Sequence, residues 1–135
     1  MAIYPHWSKA PWDAERWPNF SRAELACKRS SEYYHWPDFL NRLQAARTAV
    51  GKPFRINSAH RSFYHNWLVG GAPASEHLRL AIDIDLRGHD RHELKNILRE
   101  AGFTGFGYYN SFIHIDLRDR PAFWFGKGAK SAWLD

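Results

Sequence analysis

Two stretches in the second half of the chain alternate strictly between apolar and polar residues. Over residues 81–86 the even positions are Ile, Ile and Leu, while Asp83 and Asp85 fall on the opposite face. Residues 112–117 repeat the pattern, with a histidine and an aspartate on the polar side. A period of two predicts a β-strand in each stretch. Acidic residues pack poorly on a half-buried strand, so their shared face requires a chemical explanation.

Helical spacing of apolar residues predicts most of the remaining elements. The clearest helices run from Pro37 to about Val50 and over residues 90–101, and a glycine follows each. Shorter helices are predicted over residues 21–29, where a serine and a glutamate have the spacing of a capping box, and over 63–69. Residues 54–57 are predicted to form a strand. Together these elements predict an α+β fold, with a small, mostly antiparallel sheet and helices packed on one face.

Length and composition indicate a single domain. The 135 residues are enough to bury a core, and we expect residues 1–135 to form one domain, with a Pro- and Trp-rich N-terminal arm over 1–20 and a C-terminal tail over 126–135. The lone cysteine, Cys27, excludes an internal disulfide and a cysteine-cluster metal site. We expect the seven tryptophans to serve as core and lid rather than as a carbohydrate platform. No apolar run has the length of a membrane span, so no membrane partner is expected.

The charge balance carries little functional information. A net charge of +5 favours an anionic partner, but Lys and Arg are spread along the chain without a dense basic run. The hypothesis of nucleic-acid binding therefore rests on charge alone, and it predicts a DNA affinity that depends steeply on salt. We do not expect nucleic acid as a partner. The first residues lack the apolar segment of a secretory signal, which predicts synthesis in the cytoplasm.

Two histidines and one aspartate form the candidate reactive group. If the two alternating strands are neighbours in one sheet, His77, Asp83 and His114 converge on its polar face. Two imidazoles and a carboxylate are the ligands of a catalytic zinc ion, which keeps its fourth position open for water. The residues alone leave the alternative of surface histidines and cap-like acids, since no H-E-x-x-H motif is present.

Several linked motifs carry a family resemblance. The runs SEH at 75–77, AID at 81–83 and FIHID at 112–116 resemble the zinc D-Ala-D-Ala carboxypeptidase family, especially its phage-type branch. The same superfamily contains the D-Ala-D-Ala dipeptidases of vancomycin resistance and the hedgehog domain. The similarity covers most of residues 20–125 and implies one zinc peptidase domain. It also extends through four further segments, 20–27, 56–62, 65–72 and 105–109.

The resemblance implies a Zn²⁺ ion held by His77, Asp83 and His114. One departure concerns the spacing, because the family usually has its aspartate seven positions after the first histidine. Here Asp83 follows six positions after His77, and Leu80 stands where a turn glycine is usual. The match of residues 81–83 favours Asp83, and Asp85 remains the alternative ligand because it shares the same strand face.

The resemblance also implies roles for residues around the metal. Arg61 corresponds to an arginine that binds a substrate carboxylate during catalysis, a task that suits the guanidinium fork. Ser75 is implied either to bind substrate or to shape its turn. The positions of the family's usual general base are Ser111 and Phe112, whose side chains cannot serve as a general base. Asp116 is therefore the catalytic candidate, with the alternative that it orients an imidazole.

Three further side chains are candidates near the site. Tyr109 is predicted to bind substrate, and the hydroxyl of Tyr108 or Tyr109 is a candidate donor to an oxyanion, with core packing as the alternative for both. His60 is another candidate proton carrier, with a half-exposed structural role as the alternative.

The function implied is a zinc metallopeptidase of the DD-carboxypeptidase or endopeptidase type. It would cut peptidoglycan stem or cross-link peptides at or near D-alanine, as a phage-type cell-wall lytic enzyme (endolysin). We expect a peptidoglycan peptide as partner, a monomer, and action at the cell wall or periplasm after release or from a virion. The alternative is a non-catalytic, zinc-containing module that binds the cell wall or a protein on the same scaffold.

Overall fold

The computed structural model describes residues 2–134, which form seven strands and five α-helices around one core. The strands are β1 (Ala2–Tyr4), β2 (Tyr33–His35), β3 (Ile56–Ser58), β4 (Ile82–Asp85), β5 (Gly105–Tyr108), β6 (Phe112–Asp116) and β7 (Ala122–Phe125). The helices are α1 (Arg22–Leu25), α2 (Pro37–Val50), α3 (Phe63–Leu68), α4 (Arg91–Glu100) and α5 (Lys130–Leu134). Short 3₁₀ helices cover Trp7–Lys9 and Glu76–Leu78. Among these residues no helix is both long and apolar enough to cross a bilayer.

The main sheet has five strands in the order β3-β4-β6-β5-β7. Every neighbouring pair is antiparallel except β5 and β7, which run parallel. A second sheet pairs β1 with β2 in antiparallel fashion. The prediction of an α+β fold with a mostly antiparallel sheet is therefore confirmed, and the two alternating strands, β4 and β6, are indeed neighbours.

The apolar face of the main sheet is buried under helices. The isoleucines of β4 and β6 are fully buried, and α2 and α4 pack against each other above them in the same core. Burial of each large aliphatic side chain contributes about 1.5–3 kcal/mol, so this layer stabilises the sheet that carries the polar face. The four isoleucines and the helical residues they join in the core are Ile82, Ile84, Ile113, Ile115, Phe39, Leu40, Leu43, Leu94 and Leu98.

Local sequence signals explain where the helices begin and end. Pro37 occupies the first turn of α2, and Gly51 ends it with a left-handed backbone at φ 73°. Asp90 caps α4 by accepting hydrogen bonds from two backbone N–H groups. The predicted length of α1 is wrong, because Ala26 is already extended and the Cys27 N–H donates to the Glu32 carbonyl at 2.7 Å. That hydrogen bond closes a loop where the helix was predicted to continue to residue 29.

Residues near both ends of the described part, 2–134, pack against the rest of the domain. In the N-terminal residues, β1 pairs with β2, and the ring of Trp17 is buried. Near the other end, the indole of Trp133 in α5 is also buried and donates a hydrogen bond of 2.9 Å to the Tyr109 carbonyl.

Candidate metal centre

Three buried side chains meet on the polar face of the main sheet. One ligand atom each from His77, Asp83 and His114 lies within 4.8 Å of the other two. Oδ1 of Asp83 is 2.9 Å from Nδ1 of His114 and 3.3 Å from Nε2 of His77. The two imidazole rings are 5.0 Å apart between centroids, so the three groups surround one small volume.

Strand register and one capped turn produce this convergence. Asp83 in β4 lies directly opposite His114 in β6, so their side chains leave the sheet on the same face. His77 comes from the 3₁₀ helix Glu76–Leu78, whose first turn is fixed by Ser75: its hydroxyl accepts a hydrogen bond of 3.1 Å from the His77 N–H. The shorter spacing between His77 and Asp83 therefore still allows the two side chains to meet.

Each histidine has its second ring nitrogen occupied. Nδ1 of His77 donates a hydrogen bond of 2.7 Å to the carbonyl of Ala59, which leaves Nε2 facing Asp83. Nε2 of His114 donates to Oδ2 of Asp116 at 2.7 Å, which leaves Nδ1 facing Asp83. Metal-ligating histidines are oriented by such partners, which fix the tautomer. Two oriented imidazoles and one carboxylate fit a zinc ion.

Asp116 is enclosed and saturated with hydrogen bonds. Its side chain is fully buried, and Arg118 donates to Oδ1 from its backbone N–H and Nε and to Oδ2 from Nη2 at 2.6 Å. Burial alone would raise the pKa of Asp116, but the hydrogen bonds from Arg118 and His114 outweigh it and hold the pKa well below its usual range. Asp116 therefore favours its ionised form, in which it accepts the hydrogen bond from His114.

The two other charged members of the centre respond to each other. Burial would raise the pKa of Asp83, but hydrogen bonds from His114 and His77 outweigh burial, so the pKa is strongly lowered. Burial would lower the pKa of His114, but its bonds to Asp116 and Asp83 outweigh burial, so the pKa is raised. Two carboxylates, those of Asp83 and Asp116, therefore face the two ring nitrogens of His114.

Two glycines of β5 make room for the centre. A Cβ atom added at Gly105 would lie 1.8 Å from Oδ1 of Asp116, which sits opposite it in β6. A Cβ at Gly107, opposite His114, would lie 2.8 Å from the rings of both Trp124 and Tyr109. Only a residue without a side chain allows these groups to approach the strand so closely.

The centre lies in a cleft of about 480 Å³. Arg61 lines it, held beside His77 by a backbone hydrogen bond of 2.6 Å from Arg61 N–H to the His77 carbonyl. Tyr109 also lines the cleft, and its hydroxyl accepts a hydrogen bond of 2.9 Å from Nε1 of Trp124. The remaining lining residues are Ala72, Ala74, Ser75, Glu76, His77, Asp83, Phe112, His114, Arg118 and Trp124.

Three alternatives from the sequence lie elsewhere. Asp85 is absent from the ligand cluster and binds Arg87 through both carboxylate oxygens, hydrogen bonds that lower its pKa to about 2. Tyr108 points to the opposite face of the sheet, with its ring 4.8 Å from that of Trp133. His60 is buried, and its Nε2 is 2.7 Å from Oε1 of Glu32. None of these three lines the cleft.

Sequence reasoning missed several cleft residues. Glu76 lines the cleft and directly precedes the predicted ligand His77 in the sequence. That adjacency could have identified it as a cleft residue. Arg118 lies two residues beyond Asp116, outside the alternating stretch that was interpreted as a strand. Trp124 belongs to β7, which was not predicted at all, so nothing placed its ring 5.2 Å from that of His114.

Comparison with known families agrees with the geometry. A family model described as Peptidase M15 matches residues 18–116, a span that contains the three candidate ligands, Arg61 and Asp116. No curated protein matches the chain. Since the matched segment covers well over half of the 135 residues, the chain belongs to the peptidase M15 family.

Proposed function

We propose that the protein is a zinc-dependent peptidase that hydrolyses peptidoglycan stem or cross-link peptides at or near D-alanine. Membership of the peptidase M15 family supports metallopeptidase chemistry. The observation that carries the proposal is the buried cluster of His77, Asp83 and His114 in a solvent-accessible cleft. We further propose a phage-type role as a cell-wall lytic enzyme, released from the cell or carried on a virion.

The three clustered residues would hold the zinc ion through Nε2 of His77, a carboxylate oxygen of Asp83 and Nδ1 of His114. When bound in such a site, zinc polarises the scissile carbonyl and lowers the pKa of a water molecule toward neutrality. The protein's own contribution is to orient the ligands. The Ala59 carbonyl does this for His77, and Asp116 does it for His114.

Arg61 would hold a carboxylate of the substrate in the cleft. Its Nη1 donates a hydrogen bond of 3.2 Å to the side-chain oxygen of Asn66, so one edge of the guanidinium is anchored in the protein. The remaining N–H groups are free to form the paired hydrogen bonds that a carboxylate accepts. Since Arg61 adjoins His77 through its backbone, a bound carboxylate would lie near the metal centre.

Asp116 is proposed to position His114 rather than to carry the catalytic proton. A carboxylate with four hydrogen bonds, no solvent contact and a strongly lowered pKa is a poor base. Glu76 is the other carboxylate in the cleft besides Asp83, and it is anchored by Arg79, whose Nη2 donates to Oε1 at 2.6 Å. We assign the proton transfer to Glu76, whose Oε2 remains available.

Tyr109 is proposed to donate a hydrogen bond to the substrate. Its hydroxyl oxygen already accepts from Trp124, so its own proton is free to point at an acceptor in the cleft. A donor that is fixed before the substrate arrives stabilises developing negative charge without reorganisation. Ser75, by contrast, uses its hydroxyl to cap the turn of His77, and we propose that it shapes the site.

The decisive experiment is mass spectrometry of defined muropeptides incubated with the zinc-loaded protein. Release of D-alanine would identify a carboxypeptidase, and cleavage of cross-linked dimers would identify an endopeptidase. His114→Ala should abolish turnover, whereas Asp85→Asn, an acid on the same strand outside the cluster, should retain it. Stoichiometric zinc without any product from either substrate would overturn the peptidase and favour a binding module.

A further inference from the structure

Helix α3 exposes its apolar residues instead of burying them. The exposed fractions are 76% for Phe63, 61% for Tyr64, 70% for Trp67, 40% for Leu68 and 52% for the adjoining Val69. These five residues, the α3 face, form one patch. They are five of the eight large apolar residues that are exposed among residues 2–134. Contiguous exposed apolar surface of this kind marks an interaction site rather than ordinary surface.

The inner side of α3 is held by polar contacts. Asn66 is only 4% exposed, and its side-chain amide donates a hydrogen bond of 2.9 Å to the carbonyl of Ala72. The Ser62 hydroxyl caps the helix by accepting from the His65 N–H at 3.1 Å. An ordinary surface helix has the reverse arrangement, with apolar residues inward and polar residues outward. The fold therefore fixes α3 without using the hydrophobic residues that the helix carries.

The surroundings of the α3 face are positively charged. Lys28 and Arg29 are exposed and directly follow Cys27, whose Sγ lies 3.6 Å from the hydroxyl of Ser62, the residue that caps α3. In agreement with this placement, burial, Arg29, Arg61 and Lys28 all lower the pKa of His65. Residues 61–72 contain no acid that would neutralise them. The patch thus combines aromatic and aliphatic side chains with two exposed cations, Lys28 and Arg29, beside the start of the helix.

We propose that the α3 face binds the surface of an anionic phospholipid bilayer. Aromatic rings enter the interface between headgroups and acyl chains, and flanking cations are attracted to anionic headgroups. Leu68 and Val69 favour lipid over a glycan, because aliphatic side chains lack the flat face on which sugars stack. A second copy of the chain is disfavoured, since a twofold contact would place the same cations, Lys28 and Arg29, against each other.

Membrane binding would orient the catalytic cleft. Asn66, on the inner side of α3, accepts a hydrogen bond from Arg61 and donates one to the carbonyl of Ala72, and both Arg61 and Ala72 line the cleft. The bound protein would therefore hold its cleft at the membrane surface. The sequence led us to expect no membrane partner, because it contains no apolar run long enough to span a bilayer. Trp67 is exposed, so the expected core role is wrong for this tryptophan.

The proposal is tested by co-sedimentation of the full chain with vesicles. Vesicles of equal parts phosphatidylglycerol and phosphatidylcholine should pellet the protein, vesicles of phosphatidylcholine alone should do so far less, and 0.5 M NaCl should weaken the binding. Trp67→Ser with Leu68→Ser should weaken partitioning about tenfold, since two apolar side chains no longer enter the interface. Lys28→Glu with Arg29→Glu should weaken it by about tenfold or more.

The matched control is Phe123→Ser, which removes a side chain of similar exposure, 67%, from β7. It should pellet like the unaltered chain, and circular dichroism should show that all variants are folded. Equal pelleting of the α3 variants and the control would overturn the proposal. Equal binding of the unaltered chain to both vesicle types would also overturn it. So would α3 variants that bind vesicles normally but no longer bind purified peptidoglycan, or a dimer that forms without lipid and is abolished by Trp67→Ser. Muropeptide turnover should be unchanged in the α3 variants, which separates this site from the catalytic one.

Discussion

Asp116 accepts a hydrogen bond of 2.7 Å from Nε2 of His114, its neighbour two residues away on the same face of β6. This contact turns the opposite nitrogen of the imidazole toward Asp83. A strand thus supplies both the candidate ligand and the carboxylate that orients it, because alternate residues of a strand project to the same side. This relationship explains why His114 and Asp116 share the polar side of the second alternating stretch.

Asp116→Asn should mainly weaken metal binding. The amide no longer accepts a charge-assisted hydrogen bond, so His114 loses its fixed tautomer, and zinc affinity should fall roughly 10–100-fold. At saturating zinc, kcat should recover to within about tenfold of the unaltered protein, since a positioning residue does not carry the proton. Competition with a chelating dye measures the affinity, and muropeptide hydrolysis measures kcat. An unaltered zinc affinity with lost turnover would return Asp116 to the role of base.

Glu76→Gln should give the opposite result. Glu76 lies in the cleft but outside the ligand cluster, so the substitution should leave zinc content and affinity unchanged. If Glu76 transfers the proton, kcat should fall about 10²–10⁴-fold, the usual contribution of general acid–base catalysis. Comparison with Asp116→Asn under the same zinc concentrations makes each variant the control of the other. Full activity of Glu76→Gln would exclude this assignment.

Arg61→Ala should remove discrimination between substrates that end in a carboxylate and those that end in an amide. Hydrogen bonds to a charged group contribute about 1.5–3 kcal/mol, so kcat/KM for the acid should fall about 10–100-fold, and kcat/KM for the amide should change little. Arg61→Lys should restore only part of the loss, because an ammonium cannot form the paired contact. An equal loss for both substrates would show that Arg61 supports the fold of the cleft instead.

Gly105→Ala should disturb the centre without changing any candidate ligand. The added methyl group would meet the buried Asp116 carboxylate, so we expect a loss of about 3 kcal/mol in the free energy of unfolding and weaker zinc binding. Gly128→Ala is the control, since its φ of 74° strains the backbone but no atom lies within 4 Å. It should cost about 1 kcal/mol and leave zinc affinity intact. Equal zinc binding by both variants would contradict the crowding described for β5.

The sequence predicted the parts of the site that follow from strand periodicity. Alternation placed Asp83 and His114 on one face, and the prediction held because β4 and β6 are adjacent. His77 lies in a 3₁₀ turn without a repeating pattern, so periodicity could not place it, and the family resemblance strengthened its assignment as a ligand. Strand β5 was missed because its two glycines have low strand propensity. Those glycines are required by side chains from β6 and β7, and such long-range contacts leave no local signal.

Cys27 should make stability depend on pH between 7 and 9. Burial raises the pKa of its thiol, but hydrogen bonds from Ser30 and from backbone N–H groups of Ser62, Ser30 and Arg29 outweigh burial and lower the pKa from 9.0 to about 7. The fold therefore favours the thiolate, so the stabilisation is complete above pH 9 and is lost as the pH falls through 7. Urea unfolding under reducing conditions should show the free-energy difference between the unaltered chain and Cys27→Ala rising across this range. Parallel pH profiles for the two proteins would refute the lowered pKa.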